Sequence, residues 1–178
     1  LVDRCALALR AAGLQRGDSV GLYAPMSVPT VVVLFAAMKI GARFVPIFCG
    51  YGREALRERL ASCEAKILFA AGSLIRRGRK TDTAEIARAA SAQVPSITRI
   101  VWTDTEDWDE FLQSGGCLVP ERDVLAVGCR ATLPAESTPA EDPCLILYTS
   151  GTTGRPKGTV HTQAGCLAKM GKEIRYAF

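Results

Sequence analysis

The sequence predicts an α/β fold, a layered and mostly parallel sheet flanked by helices. Two observations carry that expectation. Short apolar runs of strand length alternate with segments of helical periodicity, and the spacing between successive strands leaves room for a helical crossover each time. With 48% hydrophobic and 22% charged residues, the 178-residue chain has the composition of one globular core rather than a disordered segment.

The elements follow in order. Val2, Cys5, Ala6 and Leu9 lie on one helical stripe, and Gly13 stops that helix. Gly17-Asp18 turns into a strand over 19–23. A helix over about 29–40 is apolar almost all round, which predicts burial, and Gly41 ends it before a strand over 43–47. Leu56, Leu60 and Cys63 mark another helical face leading to a strand over 66–70. A helix over 83–92 and a short strand over 100–102 come next. From 114 to 143 the pattern dissolves: prolines at 120, 134, 139 and 143, with acids at 121, 123, 136, 141 and 142, predict an irregular surface connection. Cys144-Leu145-Ile146-Leu147 then reads as a buried strand that feeds a loop.

That loop is the most informative stretch. Tyr148-Thr149-Ser150-Gly151-Thr152-Thr153-Gly154-Arg155-Pro156-Lys157-Gly158 packs three glycines, three threonines, a serine and two cations into eleven residues. Glycines let backbone N–H groups turn inward with no Cβ in the way, hydroxyls add short rotatable donors, and lysine adds a mobile charge. These are the parts of a polyphosphate cradle. The spacing is not that of a Walker A loop, which opens a helix. Pro156 fixes its own φ and disfavours a helical Arg155, and Thr159-Val160-His161-Thr162 reads as a second strand. Strand–loop–strand disfavours a P-loop phosphotransferase.

The pattern Y-T-S-G-T-T-G-x-P-K-G resembles, at every fixed position, the phosphate-binding signature of the adenylate-forming superfamily. Gly17-Asp18-Ser19-Val20-Gly21-Leu22 is similar to that family's early strand, and Phe35-Ala36-Ala37-Met38-Lys39-Ile40-Gly41-Ala42 to one of its helix ends. Val160-His161-Thr162 resembles the branch of acetyl- and propionyl-CoA synthetases. The resemblance implies part of an N-terminal AMP-binding domain over 1–178, with a C-terminal domain and its adenylation lysine, the adenine and ribose motifs and most of the acyl pocket lying elsewhere. It implies a carboxylate–CoA ligase using Mg-ATP and CoA in two half-reactions, through an acyl-adenylate. Thr149, Ser150, Gly151, Thr152, Thr153 and Gly154 would bind the β- and γ-phosphates, and Lys157 would neutralise charge there. On this reading the chain alone is inactive. The alternatives are a non-catalytic nucleotide-binding module and another adenylate-forming enzyme.

A second candidate is Arg76-Arg77-Gly78-Arg79, which resembles a turn that contacts the CoA nucleotide in acetyl-CoA synthetases, with Arg77 standing where the family has glycine. Guanidinium groups grip phosphate bidentately and stack on adenine. A solvated charged loop between a strand and a helix is the competing reading.

Other classes are disfavoured. A net charge of +4 with dispersed cations argues against a broad nucleic-acid surface. Seven cysteines at irregular spacing, without C-x-x-C, and the single His161 form neither a disulfide framework nor a zinc site, and no metal-binding residues are expected. The reduced thiols, together with an apolar run over 28–42 too short and interrupted to span a bilayer, predict a soluble cytoplasmic protein.

Overall fold

A computed structural model describes residues 1–76, 78–116, 132–149 and 156–177, and the backbone alone for Arg76 and Arg79. Its main sheet is six-stranded. The elements are α1 (Val2–Ala11), β1 (Ser19–Tyr23), α2 (Val28–Lys39), β2 (Arg43–Pro46), α3 (Arg53–Ser62), β3 (Ala65–Ala70), β4 (Ser73–Arg76) and β5 (Arg79–Asp82). They continue with α4 (Ala84–Ser91), β6 (Arg99–Trp102), α5 (Glu106–Ser114), β7 (Pro143–Thr149), β8 (Lys157–Thr162) and α6 (Gln163–Ala177). The sheet order is β6-β3-β1-β2-β7-β8. The first five of these strands run parallel, and β8 returns antiparallel beside β7.

The mostly parallel α/β architecture expected from the sequence is therefore present, and the parallel strands carry apolar residues on both faces. Val20, Leu22, Phe44, Ile67 and Phe69 point to a core shared with α1, α2 and α5. Tyr23, Val45, Leu68 and Ala70 point to a second core under α3 and α4. All five residues of β1 are buried, as befits the strand between two parallel neighbours.

Three differences from the sequence reading have physical causes. Helix α2 is apolar all round, yet Val28, Val31 and Phe35 are exposed, the last at 51%. Its opposite side, with Val33, Ala36 and Ala37, carries the burial. The basic run expected as a turn between strand and helix lies in a β-hairpin, with Arg76 paired to Arg79 across the turn. Gly78 there has φ +74°, a left-handed conformation that glycine takes without a Cβ clash. Helix α5 was not anticipated. It is capped by Thr105, whose hydroxyl accepts from the Asp107 amide at 3.3 Å, and it buries Trp108, Phe111 and Leu112.

The described part of the proline-rich connection, 132–142, is pinned by charge. Arg10 pairs with Glu136 at 2.6 Å and Arg16 with Asp142 at 2.6 Å. At the other end of the chain, α6 has no buried residue, and Leu167, Ile174 and Tyr176 face solvent. Among the described residues, no helix is long and apolar enough to cross a membrane.

Two consequences can be measured. Phe69 is fully buried and meets Phe111 edge-on at 5.2 Å and Trp108 at 6.2 Å. Phe69→Ala should lower the unfolding free energy in urea by about 3–5 kcal/mol, since both the transfer and the cavity terms are lost. Tyr23, at the end of β1, donates its hydroxyl to the Tyr51 carbonyl at 2.5 Å. Burial, helped by neighbouring Cys49, raises its phenol from 10.0 to about 12. The folded state thus holds this proton more tightly than the unfolded chain does. Its contribution is complete below the unfolded value of 10.0 and is lost as pH rises through about 12. Urea titrations across that window should show wild-type stability falling, and Tyr23→Phe should fall less steeply.

Candidate functional site

Parallel strands present their carboxyl ends on one edge of a sheet, and open α/β sheets bind ligands outside that edge. Here β3 runs into the β4–β5 hairpin, and β7 runs into the glycine-rich loop, so both motifs picked out in the sequence leave from the same edge. Their strands are separated by β1 and β2. Three strand spacings put the two departure points about 14 Å apart.

The stem of the loop is well defined. Strands β7 and β8 pair in antiparallel register, with Tyr148 opposite Gly158 and Thr149 opposite Lys157. That register explains Gly158: a Cβ there would lie 3.1 Å from Ile146 Cγ2 and 3.2 Å from the Tyr148 ring. Thr149 and Lys157 are both exposed and form the last rung before the loop. Ser150, Gly151, Thr152, Thr153 and Gly154 lie outside the described residues, as does Arg77. The second strand expected from the 159–162 pattern is present as β8, which starts at Lys157.

Tyr148 escaped the sequence reading as a site residue, although it heads the motif. Its hydroxyl donates to the Arg59 carbonyl at 3.2 Å, and burial against α3 holds its phenol above the ordinary range. The Arg59 guanidinium lies 4.2 Å from the Tyr51 ring centroid and 5.8 Å from that of Tyr148. Its Nη1 donates to the Ala55 carbonyl at 2.7 Å. Arg59 is itself buried, so its charge sits among aromatic faces with little water to compete. With the Tyr23–Tyr51 hydrogen bond, these contacts tie β1, the segment after β2, α3 and β7 together beneath the loop.

Between the two motifs the edge carries an apolar cleft of about 590 Å³, lined by residues that include Leu22, Pro25, Thr30, Phe44, Phe48 and Leu147. No sequence signal marked it, because its walls come from the ends of β1, β2 and β7 and from one side of α2. The base of the basic hairpin is fixed by the Gly72 amide donating to Asp104 Oδ1 at 2.9 Å, and by the buried Thr83 hydroxyl donating to the Ala71 carbonyl at 2.6 Å. Among the described residues, no group of three or more His, Cys, Asp or Glu could hold a metal ion.

The arrangement matches known proteins. Residues 1–177 fit the family model described as AMP-binding enzyme. The acetyl-coenzyme A synthetase of Coprinopsis cinerea is 33% identical over an alignment that covers 100% of this chain and 27% of that protein. That of Sodalis glossinidius is 36% identical, with 99% of this chain and 27% of the relative covered. Among solved structures, a fatty acyl CoA synthetase from Mycobacterium tuberculosis superposes with a TM-score of 0.70 at 27% identity, over 91% of this chain and 27% of that one. The chain therefore spans about a quarter of the length of such relatives. With the family signature on the β7–β8 hairpin and the match running from residue 1 to 177, the chain belongs to the AMP-binding enzyme family.

Proposed function

We propose that this chain supplies the ATP-phosphate-binding part of an AMP-forming carboxylate–CoA ligase. The observation that carries the reading is the β7–β8 hairpin, whose last rung, Thr149 and Lys157, stands at the carboxyl edge of the parallel sheet and flanks the hydroxyl- and glycine-rich segment. In the first half-reaction a carboxylate oxygen attacks the α-phosphorus of ATP, and the bond to the β-phosphate breaks to release pyrophosphate. In the second, the CoA thiolate attacks the acyl carbon and AMP departs.

Chemistry of this kind needs positioning and charge stabilisation more than covalent help from the protein. Thr149, Ser150, Gly151, Thr152, Thr153 and Gly154 would grip the β- and γ-phosphates through backbone N–H and hydroxyl donors. Lys157, at the exposed end of β8, would balance the charge that grows on pyrophosphate. Magnesium would arrive bound to ATP, so a dedicated all-protein cage is unnecessary. The β4–β5 hairpin would present Arg76, Arg77, Gly78 and Arg79 to the CoA nucleotide, and the apolar cleft between the motifs suits the less polar arm of the same ligand. Dependence on ATP and CoA favours a cytoplasmic setting.

Two measurements on the full-length protein test this assignment. Lys157→Ala should slow ATP–pyrophosphate exchange roughly ten- to hundred-fold, the worth of a charge-assisted contact. Thioester formation from preformed acyl-adenylate should survive, because pyrophosphate has already left. Equal losses in both assays would overturn the role given to Lys157, and absence of exchange in the wild type would overturn the ligase reading. The double variant Arg76→Ala/Arg79→Ala should raise the apparent KM for CoA roughly ten-fold or more while exchange is retained. Added salt should erode the wild-type advantage. An unchanged KM at low salt would make the hairpin a solvated loop.

A further inference from the structure

One cluster of reactive groups lies outside the phosphate loop and the basic hairpin. Cys144 on β7 and Cys166 in the first turns of α6 are free thiols whose sulfurs stand 3.5 Å apart. Cys144 is fully buried, and its Sγ also approaches the His161 carbonyl at 3.5 Å. Cys166 is half-buried and lines an apolar cavity of about 310 Å³ between α2 and α6, beside Leu34, Met38, Leu145 and Met170. Cys5 and Cys63 are buried elsewhere in the two cores.

We propose that Cys144 and Cys166 are a reversible dithiol–disulfide pair that fastens helix α6 to strand β7. A disulfide needs the two sulfurs at about 2.05 Å, so a shift of roughly 1.5 Å closes the gap between them. The half-exposed helix can supply that shift. It has no buried residue of its own, whereas β7 is held between β2 and β8.

The chemistry balances with a hydroperoxide as oxidant. Hydrogen peroxide transfers one oxygen to the Cys166 sulfur, giving a sulfenic acid and one water. The Cys144 sulfur then attacks that sulfur, the S–O bond breaks, and the departing hydroxide takes the Cys144 proton as a second water. Both sulfurs are oxidised, and the peroxide O–O bond is reduced. Burial, reinforced by the adjacent Cys166 sulfur, pushes the Cys144 thiol up to about 12, which makes it the less reactive of the two thiols toward the oxidant. Cys166, with access to solvent, meets the oxidant first. A thiol reductant reverses the step by exchange.

Trypsin places the two cysteines in separate peptides, since the Arg155-Pro156 bond resists cleavage: residues 131–157 carry Cys144 and residues 158–169 carry Cys166. The intact protein is treated with hydrogen peroxide, alkylated and digested without reductant. The expected product is these two peptides joined, lighter by two hydrogen atoms and separated again by dithiothreitol. Cys166→Ser should abolish the link. Cys144→Ala should leave a Cys166 sulfenic acid that dimedone traps, which keeps the test meaningful if one variant folds poorly. Amide exchange over 163–177 should slow roughly ten-fold on oxidation and recover on reduction. Absence of the joined peptides, joining of Cys166 to a different cysteine, or joining only in urea would overturn the pairing. Unchanged exchange in the linked protein would overturn the fastening of α6. None of these readouts depends on ligase activity.

Discussion

Parallel pairing through β6, β3, β1, β2 and β7 is the constraint on which the rest of the structure depends. Parallel neighbours cannot be joined by tight turns, so the chain must cross a face of the sheet after each strand and return to the same edge. Helices α1, α2 and α5 share the core on one face, and α3 and α4 share the core on the other. The parallel strands are then buried on both sides, as β1 is along its whole length. Every carboxyl end opens on a single edge. Strands β3 and β7 point the same way, so the basic hairpin and the glycine-rich segment leave from that one edge.

The contacts joining β7 to α3 and β1 are aromatic and cationic rather than aliphatic. Arg59 sits buried against Tyr51 and Tyr148, and the hydroxyls of Tyr23 and Tyr148 close onto the backbone carbonyls of Tyr51 and Arg59. A buried guanidinium is costly to desolvate, and the ring faces and the Ala55 carbonyl offset that cost. The benefit is positional. Strand β7 is tied to helix α3 behind it by directional contacts, which hold the register of the β7–β8 stem.

Burial declines towards the β8 edge. Strand β8 is exposed over most of its length, and α6 buries nothing, so hairpin pairing and the first turns of the helix carry that part of the chain. The juxtaposed Cys144 and Cys166 sulfurs lie in this weakly anchored region. A covalent bond there would restrain a helix that few apolar contacts hold.

Local chemistry written in the sequence was enough to mark most elements. Apolar periodicity located β1, β2, β3, β6, α2 and α4 within a residue and marked the buried faces of α1 and α3, because burial on both faces or along one stripe leaves a direct trace. Pro156 and the 159–162 pattern marked β8 as a strand rather than a helix, while its antiparallel pairing with β7 came only from the structure. Helix α5 was also legible, in Thr105, the acids behind it and the Trp108, Phe111 and Leu112 stripe. It was passed over beside the proline-rich connection. What the sequence could not state is proximity. The strand order, the shared edge of two motifs some 70 residues apart, the cleft between three strand ends and α2, the exposed flank of α2 and the meeting of Cys144 with Cys166 all depend on which faces pack together. Periodicity records that a face is buried but not what covers it, and only the tertiary structure decides that.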